Sequence, residues 1–471
     1  MGRIGKFTDA VKNCAIAAAF AGCQSVPEIT RSPLTASSKP LQIGAAVERE
    51  AHMRSEMQVA KSAGDSANAL LQHHSRFMAK RNNSALIGGS EARLLIDGPQ
   101  TYAAMFAAME AARDHINLEV YILEDDAVGR TLQELLLRKQ QQGVQVNLIY
   151  DSLGCLHTPK AVFDTLRQAG VQVYEFNPVN PVKGKILNVN NRDHRKLLIV
   201  DGKIGFSGGI NISGVYARGS GSNRLFRSSE GRKPSVNEGW RDTQIEVRGP
   251  AVAAMQKVFF DTWNQQPEAK RKPRNGLQPE YFPPLPVAGD KVLRVIASSA
   301  GDTENGIYAD LMSAMQQAQR SVHLTMAYFS PDDQTIDILK QTAGRGVDVV
   351  LVLPGFNDFW PVLEAGRSHY ANLLRAGVTI YERHDALMHA KTAVIDGVWS
   401  TVGSANMDMR SFLHNNEVNV IVLGSGFGKA METMFAQDIA KSERIYLQHW
   451  QNRGLGKRIK QWFSRAWSYW L

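Results

Sequence analysis

One pattern occurs twice in this chain at a fixed spacing. HRKLLIVDGKIGFSGGIN (194–211) returns as HAKTAVIDGVWSTVGSAN (389–406), with His, Lys, Asp and Asn each offset by 195 residues. Both read H-x-K-x4-D followed by Gly-(Gly/Ser)-x-Asn. A second match follows, WRDTQIEVRG (240–249) against HNNEVNVIVLG (414–424), which sets Asp242 opposite Glu417 and Gly249 opposite Gly424. One match could arise by chance. Two matches in a shared register mean an internal duplication, so the chain must fold as two copies of one unit.

The succession of elements agrees. In the first copy, about 91–263, a helical stretch at 102–113 leads into INLEVYIL (116–123). A helix at 131–142 precedes VQVNLIYD (144–151), and a third precedes VQVYEF (171–176). The second copy, about 302–436, runs through a helix at 307–320, VHLTMAYF (322–329), a helix at 335–343 and VDVVLVLP (347–354). A helix near 370–375 and VTIYER (378–383) complete it. Strands alternating with helices predict an α/β fold. Two pseudo-symmetric lobes are expected, each a mixed, largely parallel sheet flanked by helices.

The 471 residues, 44% hydrophobic and 21% charged, are ample for two such cores. The lobes are expected at 86–265 and 287–450, joined by a Pro- and Lys/Arg-rich linker at 266–286. Residues 23–85 are polar with Ala-rich patches and carry no functional signal. A Gly/Ser/Arg-rich loop at 213–238 belongs to the first copy alone: Asn211 precedes Asp242 by 31 residues, whereas Asn406 precedes Glu417 by 11.

Read as strands, the repeats place His194 with Lys196, and His389 with Lys391, on one face. An imidazole beside an ammonium on an otherwise apolar strand is costly unless an anion sits between them. Parity turns Asp201 and Asp396 to the other face, and each Asp-Gly reads as a turn. Face-to-face packing of the copies would bring two His-Lys pairs and two asparagines to one pocket, which suits a phosphodiester. Lys196, Lys391, Asn211 and Asn406 would hold the non-bridging oxygens. One histidine would attack phosphorus while the other protonates the leaving oxygen. A carboxylate on each distal ring nitrogen would fix the tautomer, and Asp242 and Glu417 are the candidates, against the alternative of ordinary strand-edge charge. Ser404 is a candidate phosphate contact or a turn hydroxyl. The lysines supply the charge, so no metal or cofactor is expected.

At these residues the sequence resembles the phospholipase D superfamily over about 91–445, and that superfamily counts His194, Lys196, Asp201 and His389, Lys391, Asp396 as its paired motif. The resemblance implies two α/β lobes sharing one active site and a phosphohistidine intermediate. It further implies His194 as nucleophile and His389 as acid, then base. GSANMDMRSF (403–412), NNEVNVIV (415–422), WRDTQIEVRGPAV (240–252) and AYFSPDD (327–333) are similar to bacterial cardiolipin synthases. That similarity implies transfer of a phosphatidyl group, with phosphatidylglycerol as the expected lipid. Phospholipid hydrolysis and nuclease action are the alternatives.

Some members of that group begin with two membrane-spanning helices, for which this chain has no apolar run of about 20 residues. Its charge of +9 favours an anionic partner. Arg3, Lys6 and Lys12, an apolar stretch at 15–21 and Cys23 resemble a lipoprotein signal at 1–22, with Cys23 lipidated. An ordinary N-terminal helix is the other reading. In the tail, 451–471, Ile459, Trp462, Phe463, Ala466, Trp467, Trp470 and Leu471 recur at helical spacing opposite Lys457, Arg458, Lys460 and Arg465. This predicts a helix lying in an anionic membrane surface, with core docking as the alternative. Lipidation and tail together argue for a lipid substrate at a bacterial membrane and against nucleic acid.

Overall fold

The computed structural model describes residues 85–179, 190–220, 239–266, 280–302 and 304–454, with Leu70, Leu71, His74, Gly456, Lys460, Gln461 and Ser464. The signal segment with Cys23, most of 23–85 and the tail tryptophans lie outside these residues.

The first lobe runs β1 (Ile87–Ile96), α1 (Asp97–Ala111), β2 (His115–Val120), α2 (Ala127–Gln141), β3 (Gln145–Asp151), α3 (Lys160–Gln168) and β4 (Gln172–Phe176). It continues through β5 (Arg192–Asp193), β6 (Leu197–Val200), β7 (Ile204–Gly208), α4 (Gly214–Ala217), β8 (Thr243–Arg248) and α5 (Ala251–Trp263). The second runs β9 (Lys291–Ser298), α6 (Gly306–Gln317), β10 (Ser321–Met326), β11 (Phe329–Ser330), α7 (Asp333–Gly344), β12 (Asp348–Pro354), α8 (Trp360–Arg375) and β13 (Thr379–Arg383). Then come β14 (Lys391–Ile395), β15 (Trp399–Gly403), β16 (Met407–Asp408), α9 (Met409–Leu413), β17 (Asn415–Leu423), α10 (Ser425–Ile439), β18 (Ser442–Ile445) and α11 (Leu447–Gln451).

Strand order is β4-β3-β2-β6-β7-β8-β1 in the first lobe and β13-β12-β10-β14-β15-β17-β9 in the second, with β18 added outside β13. The two orders are the same order. Each lobe opens with a strand, β1 or β9, and these two pair antiparallel, so both lobes share one continuous sheet. The sheet is mixed, but "largely parallel" needs correcting. Along that strand order, parallel pairing is found in β2-β3-β4 and β10-β12-β13, where helices make the crossovers; the short β5 and β11 also pair in parallel, with β17 and β16. The other pairs along that order are antiparallel, some of them hairpins. Asp201-Gly202 and Asp396-Gly397 turn two of them, with φ of 52° and 63°, then 53° and 68°, the left-handed pair that a tight hairpin turn requires.

Matching positions do matching local work. Asp126 caps α2 by accepting from the N–H groups of Val128 and Gly129, and Asp332 caps α7 by accepting from Thr335 N–H. Strand β17 shows the pleat: Val418, Val420 and Val422 enter the core shared by both lobes, while Ile421 and Leu423 enter the second lobe's own core. The shared core lies under α5 and α10, where Met255 and Phe259 join Val247, Val295, Met431 and Met434. The lobes are therefore one hydrophobic unit.

Candidate active site

The segment carrying each histidine crosses from its own lobe onto the other. Asp193 pairs in parallel with Asn416, and Met388, at the matching position, pairs with Arg241. His194 N–H then donates to Asn416 O at 2.9 Å and His389 N–H to Arg241 O at 2.7 Å. Each imidazole is thereby delivered to the opposite lobe's carboxylate. His194 Nδ1 lies 3.0 Å from both oxygens of Glu417, and His389 Nδ1 lies 2.6 Å from Asp242 Oδ2. Asp242 and Glu417 are fully buried. With its carboxylate ionised, each Nδ1 carries a proton and the chemistry falls to Nε2.

His194 to Lys196 is irregular in the first lobe, with β6 beginning only at Leu197, whereas Lys391 opens β14. Both lysines still curl back alike: Lys196 Nζ donates to His194 O at 2.5 Å, and Lys391 Nζ donates to His389 O. Lys391 Nζ is also 3.0 Å from His389 Nδ1. Burial pushes Lys196 down to about 7, with Lys391 pushing the same way against Glu417, and burial pushes Lys391 down to about 8. Burial and the two lysines hold His194 well below the usual histidine value, and burial with Lys391 takes His389 to about 4. Burial raises Glu417 to about 7 against the pull of Lys196. Below about pH 7, and above the lowered histidine values, the site thus combines two neutral imidazoles with two cations, a set that suits an anion.

Three other expected residues lie where their bonding is already committed. Asp201 accepts from the N–H groups of Arg113, Asp114 and His115, and Asp396 from those of Gln319, Arg320 and Ser321. They fasten the start of β2 and β10 and stay out of the pocket, so the motif's aspartates serve the fold. Ser404 is corrected as a phosphate contact: its hydroxyl donates to Glu417 Oε2 at 2.5 Å. Asn211 accepts from Ile122 N–H and gives one amide proton to Tyr216 Oη at 3.2 Å, leaving the other for a ligand. Asn406 Oδ1 is buried without a hydrogen-bond partner among the described residues.

The sequence reading missed the residues that wall the pocket. Tyr216 Oη lies 3.3 Å from His389 Nδ1, and the Trp240 ring lies 4.9 Å from that imidazole. Tyr121 packs edge-on to His194 at 4.9 Å and its ring faces Lys196 Nζ at 5.1 Å. A signal was present: the 195-residue offset sets Tyr216 opposite Ser411, which hydrogen-bonds to Glu417. Each His–carboxylate pair therefore has a hydroxyl from the same place in the repeat.

Two lobes sharing one site of two His-Lys pairs, each imidazole held by a carboxylate of the opposite lobe, define a phospholipase D-type enzyme. A family model described as "Cardiolipin synthase, PLD-like domain" matches residues 105–223 and 311–439. Cardiolipin synthase 2 of Bacillus cereus is 34% identical over 375 residues, 79% of this chain and 68% of that protein. Cardiolipin synthase of Geobacillus kaustophilus is 34% identical over 379 residues, 80% and 71% of the two chains. The crystal structure of phosphatidylserine synthase of Haemophilus influenzae superposes with a TM-score of 0.61 over 86% of this chain and 97% of that one, at 13% identity, and so shares the fold. The chain belongs to the phospholipase D-like cardiolipin synthase family.

Proposed function

We propose that the protein transfers a phosphatidyl group from one phosphatidylglycerol to the glycerol of another, forming cardiolipin and releasing glycerol. The observation that carries this is the crossed pairing of His194 with Glu417 and His389 with Asp242 around two buried lysines. A phosphodiester between the imidazoles completes the charge. Lys196 and Lys391 neutralise its non-bridging oxygens and stabilise the charge that builds at phosphorus. His194 Nε2 attacks phosphorus, and the bond to the glycerol oxygen breaks as His389, protonated once the anion is bound, gives that oxygen its proton. The neutral His389 then takes the proton of the incoming hydroxyl, whose oxygen displaces His194.

The pocket works on a lipid, so the reading includes a bacterial membrane as workplace, with Cys23 and the C-terminal stripe as attachments. The relatives' activity as cardiolipin synthases supports the reaction class, and the net charge of +9 supports an anionic surface. Lipid analysis of cells making wild type, His194→Ala and His389→Ala tests the reaction. Cardiolipin should appear only with wild type. Phosphatidic acid in its place would make the enzyme a hydrolase. Cardiolipin formation by either variant, with unchanged circular dichroism, would remove the two-histidine mechanism.

A further inference from the structure

Five large apolar side chains stand out as exposed among the described residues: Leu156, Phe282, Val287, Trp360 and Tyr446. Single exposed apolar residues are ordinary on protein surfaces. Two of these five, however, lie in corresponding connections of the duplicated fold, each between a lobe's third long strand and the start of the helix that follows. Leu156 is on the loop between β3 and α3, and Trp360 closes the corresponding loop between β12 and α8. Both loops contact the end of the neighbouring parallel strand, β2 or β10. Cys155 Sγ contacts Tyr121 O at 3.5 Å, and Asn357 Nδ2 donates to Ala327 O at 3.4 Å, the two carbonyls just past β2 and β10.

Each loop is joined to one histidine through an aromatic ring. Tyr121 packs on His194, and Tyr328, whose hydroxyl donates to Asp358 at 2.9 Å, lies 6.4 Å from His389. The pseudo-twofold that exchanges the histidines therefore exchanges the loops, one next to each histidine. Leu156 is 51% exposed and Trp360 46% exposed. Cations accompany them. Lys460 of the tail places Nζ over the Trp360 ring at 4.3 Å, and half-buried Arg410 acts electrostatically on both His194 and Tyr121.

We propose that these paired loops are the surface by which the enzyme sits on a phospholipid bilayer, with Leu156 and Trp360 entering the interface on opposite sides of the pocket. The occupant is a bilayer because a double-chain lipid must present its phosphodiester to buried histidines while its acyl chains stay in an apolar phase. Two apolar side chains flanking the mouth, with cations beside them, let the headgroup rise without the lipid leaving the membrane. Trp is a residue that favours that interface. The proposal rests on the phosphodiester-transfer reading of the pocket and adds the orientation in which the enzyme meets its substrate.

The test uses full-length enzyme, flotation with phosphatidylglycerol/phosphatidylethanolamine vesicles, and turnover on vesicles and on monomeric short-chain phosphatidylglycerol. Leu156→Ser and Trp360→Ser should each weaken vesicle binding and vesicle turnover about tenfold, the scale of losing one apolar side chain from an interface. Turnover of the soluble lipid should remain within about twofold of wild type on the same scale. Leu156→Trp should tighten binding. Phe282→Ser and Tyr446→Ser, exposed elsewhere, should change neither readout. Wild-type vesicle binding by both rim variants, or equal losses on soluble and vesicular lipid, would overturn the proposal. If the wild type makes no cardiolipin from either lipid, the reaction assignment fails, while flotation still judges the rim on its own.

Discussion

The two lysines are the least comfortable residues in the molecule. Burial holds Lys196 at about 7 and Lys391 at about 8, so each is charged below that value and loses its charge as pH rises through it. His194 must be neutral to attack, and burial with the lysines keeps it neutral well below the usual 6.5. The free enzyme's profile, read as kcat/KM against pH, should therefore be a narrow bell. Its acid limb is set by Glu417, which burial raises to about 7, with His194 titrating lower still, and its alkaline decline has a midpoint between about 7 and 8. Raised salt should leave that alkaline midpoint in place, because the groups are shielded from solvent. A rate that holds flat to pH 10 would mean that the lysines keep their protons and that burial has been offset by something else. The sequence named all four of these groups, because a repeated His-x-K on an apolar strand has few other uses. It could not place Ser404, since a hydroxyl in a turn serves a ligand or a neighbouring carboxylate equally well until Glu417 is seen against it. Tyr216 was hidden for another reason: its counterpart in the repeat is Ser411, and a tyrosine set against a serine does not stand out as a match.

Helix α10 is the strut that holds the first lobe's carboxylate in place. Its Asp438 accepts from Arg241 at 2.9 and 2.8 Å and from Arg383 at 2.6 Å, all three buried. Arg241 immediately precedes Asp242, and its carbonyl receives the His389 N–H. Asp438→Ala removes the acid shared by two buried guanidinium groups, leaving Arg383 with Asp385 and Arg241 with the more distant Asp97, and the expected loss is about 3 kcal/mol in urea unfolding, with activity falling as Asp242 loosens. Arg138→Ala, which breaks a half-exposed pair with Glu110, should cost less than about 1 kcal/mol. Equal effects would mean that α10 is ordinary packing. Element boundaries were legible where periodicity was clean, as in β3, β4, β12 and β13. They failed where tertiary contact sets the residue. Helix α8 was expected only from about 370 yet begins at Trp360, because Gly366 interrupts the apolar pattern. That glycine packs so tightly that a Cβ would lie 2.1 Å from Phe329 O. Helix α1 likewise starts at Asp97 and not at 102, on an Asp-Gly-Pro that reads as a turn. A Cβ on Gly98 would lie 2.1 Å from Tyr216 O, so the glycine lets α4 close on α1.

The duplication that the sequence announced does not yield two half-sites side by side; it yields two crossed ones. No periodicity could foretell that, because the crossing depends on β1 pairing with β9 and on the parallel contact of Asp193 with Asn416. It has a mechanistic consequence. In the proposed reaction, Glu417 of the second lobe orients the imidazole that attacks, His194, and Asp242 of the first orients the one that protonates the leaving oxygen, His389. The two acids should therefore be separable by the leaving group. A phosphodiester with an acidic phenol as leaving group needs no proton to depart, so Asp242→Asn should regain most of its lost rate of phenol release on that substrate, while Glu417→Gln should stay slow on every substrate. Stopped-flow release of the phenol, compared with release of an alkyl alcohol from a matched diester, measures both. If wiring ran within each lobe, the pattern would reverse, with Glu417→Gln rescued and Asp242→Asn slow throughout. If both variants were rescued alike, neither acid would be tied to one step, and the crossed geometry would serve only to hold the lobes together.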